Sequence, residues 1–316
     1  MDAQAAGGVS ETRPSVAIST EQLTKRFGNQ TALDGLTLEI PVGEVFGFLG
    51  PNGAGKSTTL RLLLGLLAPT SGSARIMGAD VRDVREVHRH TAYVPGDVRL
   101  WPKLSGGECL ELFANLRGGV DVDYQAALVE QFRLDTTKRA RAYSRGNRQK
   151  VALVAAFAAR ADVLLLDEPT SGLDPLMEQE FRACVAEATA RGQTVFLSSH
   201  ILGEVEQICS RVGILRGGRL VEVATIQRLR AMHSTEIELD VDGPIPDLRS
   251  VAGVERVVAI PSGVRITLNG PPGPVLQAVA DLAITGIRAQ EESLEHIFLT
   301  YYGDDARGVR STDVDG

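Results

Sequence analysis

Three stretches of the chain are apolar without alternation: Val45-Phe46-Gly47-Phe48-Leu49, Val163-Leu164-Leu165-Leu166 and Thr194-Val195-Phe196-Leu197-Ser198. A strand with one wet face alternates apolar and polar residues. Unbroken runs of this length therefore predict strands buried on both faces, as in a parallel sheet covered by helices. Helical spacing surrounds them: Leu60, Leu62, Leu63 and Leu66 after the first run, an Ala-rich stretch to Ala159 before the second, and Leu176 to Arg191 between the second and third. Strand alternating with helix in this order predicts an α/β fold. Ahead of the first run, strands are expected at Val16 to Leu23 and Leu36 to Ile40, with Thr31-Ala32-Leu33 between them. Ser71 to Met77 reads as a further short strand and Val84 to His90 as a helical turn. Gly106 to Leu116 and Tyr124 to Phe132 read as amphipathic helices of a mostly helical insert.

Beyond Leu229 the pattern changes. Strands are expected at Ile237 to Val241, Val254 to Ile260, Val264 to Leu268 and Ile287 to Gln290, with a weak helical signal near Asp247 to Val251 and helices at Pro274 to Leu282 and Leu294 to Tyr301. That order, βαββαβ with a trailing helix, fits a small ferredoxin-like α+β module. It clusters no His, Cys or carboxylates, so no chemistry is assigned to it. The expected division is a disordered lead at 1–14, a large domain at 15–232 with its helical insert at about 84–146, the small domain at 233–303 and a flexible tail at 304–316.

Composition narrows the partners. The 316 residues are 43% apolar, enough for a sizeable core in one large domain and a small one. A net charge of −7 argues against a nucleic-acid-binding surface. Cys109, Cys184 and Cys209 form no C-x-x-C pair, which suits a reducing cytosol. Asp2 and Glu11 sit where a signal peptide would be apolar, and Arg160 and Asp162 interrupt the most apolar stretch, Val151 to Leu166. Any membrane role is therefore expected through a partner.

Candidate chemistry begins directly after the first apolar run. Gly50-Pro51-Asn52-Gly53-Ala54-Gly55-Lys56-Ser57-Thr58 meets the spacing G-x-x-x-x-G-K-S between a strand and a helix. Glycines let successive N–H groups turn inward, and the helix N-terminus adds partial positive charge, so the stretch reads as a polyphosphate cradle. Lys56 then reaches the β- and γ-phosphates and the Ser57 hydroxyl binds Mg²⁺. The bland alternative is an ordinary Gly-rich turn. The second run ends in Asp167-Glu168, where α/β sheets place ligands. Asp167 can hold Mg²⁺ through its waters and Glu168 can polarise a water attacking the γ-phosphorus, or the two can form a helix-capping pair. Ser171-Gly172-Leu173-Asp174-Pro175 is a turn opening the next helix, and the third run ends at His200, either a γ-phosphate sensor or a structural histidine. Phe27, before Gly28 in a turn, is either core packing or a ring that stacks on a purine.

This series of motifs resembles the ATP-binding-cassette (ABC) ATPase family over about Val16 to Arg230. Gly50 to Ser57 resembles its Walker A motif, Leu164 to Asp167 its Walker B motif and Glu168 its catalytic glutamate. Ser171 to Asp174 resembles the D-loop, His200 the switch histidine and Phe27 the adenine-stacking aromatic. The resemblance implies a P-loop NTPase cassette with a RecA-like core, an antiparallel β subdomain and a helical subdomain. It also implies ATP and Mg²⁺ as ligands, with Asp174 beside the nucleotide. Leu104-Ser105-Gly106-Gly107-Glu108 looks like the family's LSGGQ signature but falls before the insert is complete. The signature position, at the start of the helix leading into Walker B, is held by Tyr143 to Lys150, so Ser144 and Gly146 carry it. Leu104 to Glu108 is expected to be a helix N-cap with Glu108 closing a capping box.

Two residues depart from the family pattern: Arg145 replaces a signature glycine, and Gly96 stands where a glutamine normally follows Tyr-x-Pro. A signature of the form Tyr-Ser-basic-Gly-x-x-Gln-Lys resembles ATPases of ABC-2-type exporters, including daunorubicin-resistance-like efflux. The resemblance implies two cassettes closing head to tail, as a homodimer or with a second cassette. It further implies a separate ABC-2-type transmembrane permease docked on the insert at the cytoplasmic face of the membrane, and export of a drug, antibiotic or lipid-like substrate. The alternatives are a soluble ABC ATPase acting on ribosomes or nucleic acid, and a regulatory subunit with impaired hydrolysis.

Overall fold

A computed structural model describes residues 14–231 and 234–291. These fall into two compact units, one running through His200 and including Ile208–Val223, the other formed by Ile201–Gln207 and the chain from Ala224 onward.

In the first unit the strands are β1 (Val16–Phe27), β2 (Gln30–Pro41), β3 (Val45–Leu49), β4 (Ser71–Ile76), β5 (Ala79–Asp80), β6 (Thr91–Val94), β7 (Val163–Asp167), β8 (Thr194–Ser199), β9 (Arg211–Arg216) and β10 (Arg219–Thr225). Its helices are α1 (Lys56–Leu63), α2 (Val84–His90), α3 (Gly106–Arg117), α4 (Val122–Gln131), α5 (Arg145–Ala158) and α6 (Pro175–Ala190). Six strands form one sheet in the order β10-β9-β3-β8-β7-β6, with β9, β3, β8, β7 and β6 mutually parallel. Every residue of β3, β7 and β8 is buried, as their unbroken apolar runs predict. Phe46 stacks on Phe196 at 5.9 Å between ring centroids and Phe48 tilts against it at 5.2 Å, which locks β3 to β8 by ring packing as well as by the ladder. A second sheet, β2-β1-β4-β5, is antiparallel.

β1 continues four residues past Leu23, and Thr31-Ala32-Leu33 belongs to β2 rather than lying between strands. The cause is a bulge: Gln22 takes φ +45° and the register with β2 shifts around Leu23, which breaks the alternation that marks a strand. α1 stops at Leu63 instead of running through Leu66, because Gly65 (φ +68°) turns the chain so tightly that a side chain there would strike the Val81 carbonyl. The insert boundary at about 84 is also corrected. α2 leads directly into β6, an edge strand of the parallel sheet, so the helical excursion from that sheet starts after Val94.

The near-signature Leu104 to Glu108 is a helix cap. Ser105 Oγ accepts from Glu108 N at 3.2 Å while Glu108 Oε2 accepts from Ser105 N at 2.6 Å. These bonds hold the Glu108 carboxylate below its ordinary range. A Cβ at Gly106 would lie 2.0 Å from the Tyr143 hydroxyl, so the motif is sealed against the chain that precedes α5.

The second unit holds α7 (Leu202–Ile208), α8 (Ile226–Ala231), β11 (Ser234–Val241), β12 (Val254–Ile260), β13 (Gly263–Asn269), α9 (Gly273–Ala278) and β14 (Ile284–Glu291). Its sheet is antiparallel in the order β12-β13-β11-β14, the arrangement a βαββαβ chain adopts. The first helix of that pattern is only a 3₁₀ turn at Leu248–Ser250, since Pro244 and Pro246 use up the short connection from β11 to β12. Leu248, Val275 and Val279 close over Ile237, Leu239, Val264 and Ile266 in a separate small core. The helix expected at Leu294 to Tyr301, the tail at 304–316 and residues 1–13 of the lead lie outside the described residues.

Ser105→Ala removes a side-chain cap and should lower stability by about 1 kcal/mol. Thermal unfolding checks this, and an unchanged midpoint would contradict it.

Candidate functional site: a phosphate cradle at the edge of the parallel sheet

The carboxyl ends of β3, β8 and β7 reach the same edge because the strands pair in register, Leu49 with Ser199 and Asp167 with Ser198. The loop after β3 curls tightly. A Cβ at Gly50 would lie 2.6 Å from the Leu215 carbonyl, and one at Gly55 (φ +112°) 2.5 Å from the Ala32 carbonyl, so neither position admits a side chain. Gly55 is the N-cap of α1 and supplies no side-chain oxygen, which leaves the first-turn N–H groups of α1 without a side-chain cap. Pro51, Asn52 and Gly53 are exposed, Ala54 is buried, and Ser57 and Thr58 are half-buried at the start of α1.

Lys56 is buried, and its ammonium donates to the Gly50 carbonyl at 2.5 Å and the Pro51 carbonyl at 3.2 Å, spanning the mouth of the loop. Burial lowers its pKa, and the nearby charges of Glu168 and Asp167 oppose that shift. A cation held by neutral carbonyls in a desolvated pocket is poised to exchange them for an anion.

Asp167 ends β7, buried, with Oδ1 accepting from Ser198 Oγ at 2.5 Å. Glu168 follows at φ +48°, a conformation costly for a residue with a side chain, held by its N–H to the Ser198 carbonyl at 3.0 Å. That turn aims Glu168 Oε1 to within 3.0 Å of His200 Nδ1. The two residues read as catalytic therefore meet, and Asp167 and Glu168 do not act as a helix-capping pair. Burial, together with the Asp167 charge, pushes the neighbouring Tyr93 hydroxyl up to about 12.

Other expected residues sit differently. Phe27 ends β1 with its ring 48% exposed and Lys25 Nζ 5.0 Å from the ring centroid, so it is not core packing. Ser144 is the N-cap of α5, accepting from Asn147 N at 3.2 Å. A Cβ at Gly146 would lie 2.3 Å from the Gly172 carbonyl, so α5 packs directly on the turn that follows Glu168. No hydrogen bond joins Ser144 or Gly146 to residues 50–58 among the described residues. The Asp174 side chain caps α6, accepting from Met177 N at 3.0 Å. Two contributors went unflagged: Ser198, a polar residue inside an apolar run and opposite a carboxylate, and Gln149, 1% exposed, whose Nε2 donates to the Pro169 carbonyl at 2.9 Å. Gly96 lies against Asp167, with a backbone outside the left-handed region; a Cβ there would sit 3.4 Å from the Asp167 carbonyl, an ordinary contact.

A glycine-built loop after β3, a desolvated lysine at a helix start and paired carboxylates at the end of β7, one strand beyond β8, define a P-loop nucleotide-binding protein. The comparisons with known proteins narrow the class. Residues 33–171 match the family model described as ABC transporter. Over 303 residues the chain is 34% identical to the bacitracin transport ATP-binding protein BcrA of Enterococcus faecalis, covering 90% of this chain and 96% of that protein. It is 33% identical over 317 residues to the daunorubicin/doxorubicin resistance ATP-binding protein DrrA of Streptomyces peucetius, covering 93% and 95%. Among solved structures, an ATP-binding subunit of an ABC transporter superposes with a TM-score of 0.64 at 32% identity, over 68% of this chain and 92% of that one. The dimeric cassette MJ0796, solved in a post-hydrolysis state with ADP and Pi, shares the fold at a TM-score of 0.61 and 24% identity, over 66% of this chain and 98% of that one. The chain belongs to the ABC transporter family, as an ATP-binding and ATP-hydrolysing subunit.

Because the backbone at Gly96 suits any residue, Gly96→Gln should fold normally and place an amide beside Asp167. Basal phosphate release by the isolated protein should rise severalfold. An unchanged rate would mark Gly96 as a harmless variant.

Proposed function

We propose that this chain is the motor subunit of an ABC-2-type exporter and drives efflux of a drug, antibiotic or lipid-like substrate through a separate permease. The Glu168–His200 contact beside the Lys56 cradle is the observation that carries the hydrolytic part of this reading. Similarity to BcrA and DrrA along nearly the whole length supports the export part.

Residues 50–58 bind the phosphates of ATP: Lys56 leaves its two carbonyls for the β- and γ-phosphate oxygens, and the free N–H groups at the start of α1 supply further donors. The Ser57 hydroxyl and the Asp167 carboxylate form an all-oxygen donor set of the kind Mg²⁺ takes, and the metal would neutralise charge on the β- and γ-phosphates. Ser198, by donating to Asp167, fixes the carboxylate for that task. Glu168 accepts a hydrogen bond from the attacking water and His200 holds the carboxylate in line. The water oxygen bonds to the γ-phosphorus as the bond to the β,γ-bridging oxygen breaks, giving ADP and phosphate. Phe27, exposed near the turn into β2, stacks on the adenine.

Ser144 and Gly146 complete the site from a second cassette, and closure of the two, homodimeric or with a different cassette, requires the γ-phosphate. The MJ0796 dimer supports that assembly. Asp174, whose Oδ1 caps α6, serves beside the nucleotide at the same interface.

In this reading the chain attaches to the cytoplasmic face through the permease; among the described residues no helix is long and apolar enough to cross a membrane. A groove of about 910 Å³ between β6 and the helical excursion supports the docking of one of its cytoplasmic helices. Tyr93, Val98, Trp101, Phe113 and Leu116 line its apolar part and Arg85 and Arg89 its basic edge.

Glu168→Gln should retain ATP binding, slow turnover about 10²-fold or more, equivalent to about 3 kcal/mol of transition-state stabilisation, and accumulate an ATP-bound dimer. Steady-state phosphate release and sedimentation with ATP test this together, and an unchanged kcat would remove Glu168 from the mechanism. Ser144→Arg should abolish ATP-driven dimerisation by filling the space where the partner's γ-phosphate docks; a variant that still dimerises would place the signature elsewhere.

A further inference from the structure

Between Asp135 and Asp162 the chain has no carboxylate, yet it carries Lys138, Arg139, Arg141, Arg145, Arg148, Lys150 and Arg160 in a protein of net charge −7. Lys138 pairs with Asp135 at 3.4 Å and Arg139 donates to the Lys103 carbonyl. Arg145 has no such relief. It is the first residue of α5, next to the N-cap Ser144, with no acidic residue in the first turn. A cation there faces the positive end of the helix dipole. Arg145 is exposed and has no hydrogen-bond or ion-pair partner among the described residues. One turn on, Arg148 Nε is buried and likewise without a hydrogen-bond partner. The stem of Arg145 is braced: a Cβ at Gly172 (φ +83°) would lie 3.4 Å from Arg145 Cγ, so the aliphatic part runs over the turn between Glu168 and α6. A braced, exposed cation set against the positive end of its own helix is placed to meet an anion from outside its chain.

We propose that the Arg145 guanidinium binds the phosphates of the ATP held by the partner cassette, a third contact from α5 beside Ser144 and Gly146. The assignment rests on the head-to-tail sandwich proposed above. Arg145 thus stands in place of a signature glycine as a cation supplied in trans, which strengthens closure on ATP. Its cost is carried by the free monomer and relieved on assembly.

The test uses the full chain in the Glu168→Gln background. Sedimentation velocity across an ATP titration gives the ATP concentration for half-maximal dimerisation. Fluorescence of a mant-labelled ATP at protein concentrations too dilute to dimerise gives binding to the single cassette. Adding Arg145→Ala should raise the first by about tenfold or more, the loss expected for one charge-assisted hydrogen bond, and leave the second unchanged. Arg145→Lys should recover part of the loss. The nucleotide-free thermal midpoint of Arg145→Ala should equal or exceed that of the parent, because an unfavourable charge has gone. If Glu168→Gln dimerises and adding Arg145→Ala changes nothing, the Arg145 assignment alone is overturned. A thermal midpoint that falls along with dimerisation would make Arg145 a structural residue and overturn it equally. If Glu168→Gln itself stays monomeric in ATP, the sandwich reading falls and this assignment with it.

Discussion

The in-register parallel pairing of β3, β8 and β7 is the constraint on which the site depends. It sets the loop that begins at Gly50, the Asp167-Glu168 pair and His200 side by side at one edge of the sheet. A slip of one residue between β7 and β8 would turn Ser198 away from Asp167 and break the contact that carries Glu168 toward His200. Register is secured from within: Phe46, Phe48 and Phe196 interlock in a core where each strand is buried on both faces. The stable core thus holds the less favourable features at its edge, the left-handed Glu168 and the desolvated Lys56.

From this edge one physical connection runs outward within the same unit. α5 touches the turn after Glu168 at two points, Gly146 against Gly172 and Gln149 on the Pro169 carbonyl. The Arg160 and Arg191 guanidinium groups both pack on Tyr124 of α4, at 4.7 and 4.8 Å from its ring centroid, which ties α4 to the loop after α5 and to the end of α6. The helical excursion is therefore in direct contact with the turn that follows the carboxylate pair.

Much of this was legible in the sequence because it is written in local patterns. Unbroken apolar runs marked β3, β7 and β8, and the spacing from Gly50 to Ser57 marked the cradle. A Ser and a Glu three residues apart identified Leu104 to Glu108 as a cap despite its resemblance to a signature. What escaped is set by contacts distant in sequence. The bulge at Gln22 hides the second half of β1, the Val81 carbonyl ends α1 at Gly65, and Ser198 gains meaning only opposite Asp167. The hold of two carbonyls on Lys56 is local but comes from the curl of the loop and leaves no periodic trace, whereas the Asp174 cap, just ahead of Pro175 and three residues before Met177, is a local signal of the same kind as Ser105.

The central claim is that the buried Lys56 exchanges backbone carbonyls for nucleotide phosphates. Isothermal titration of the wild-type protein and Lys56→Ala with MgATP tests it most directly, with circular dichroism to verify that both are folded. The account predicts saturable binding by wild type and a loss of affinity of about 10²-fold or more in Lys56→Ala, as expected when a desolvated charge-assisted contact is removed. Equal affinity in a folded Lys56→Ala protein would contradict it.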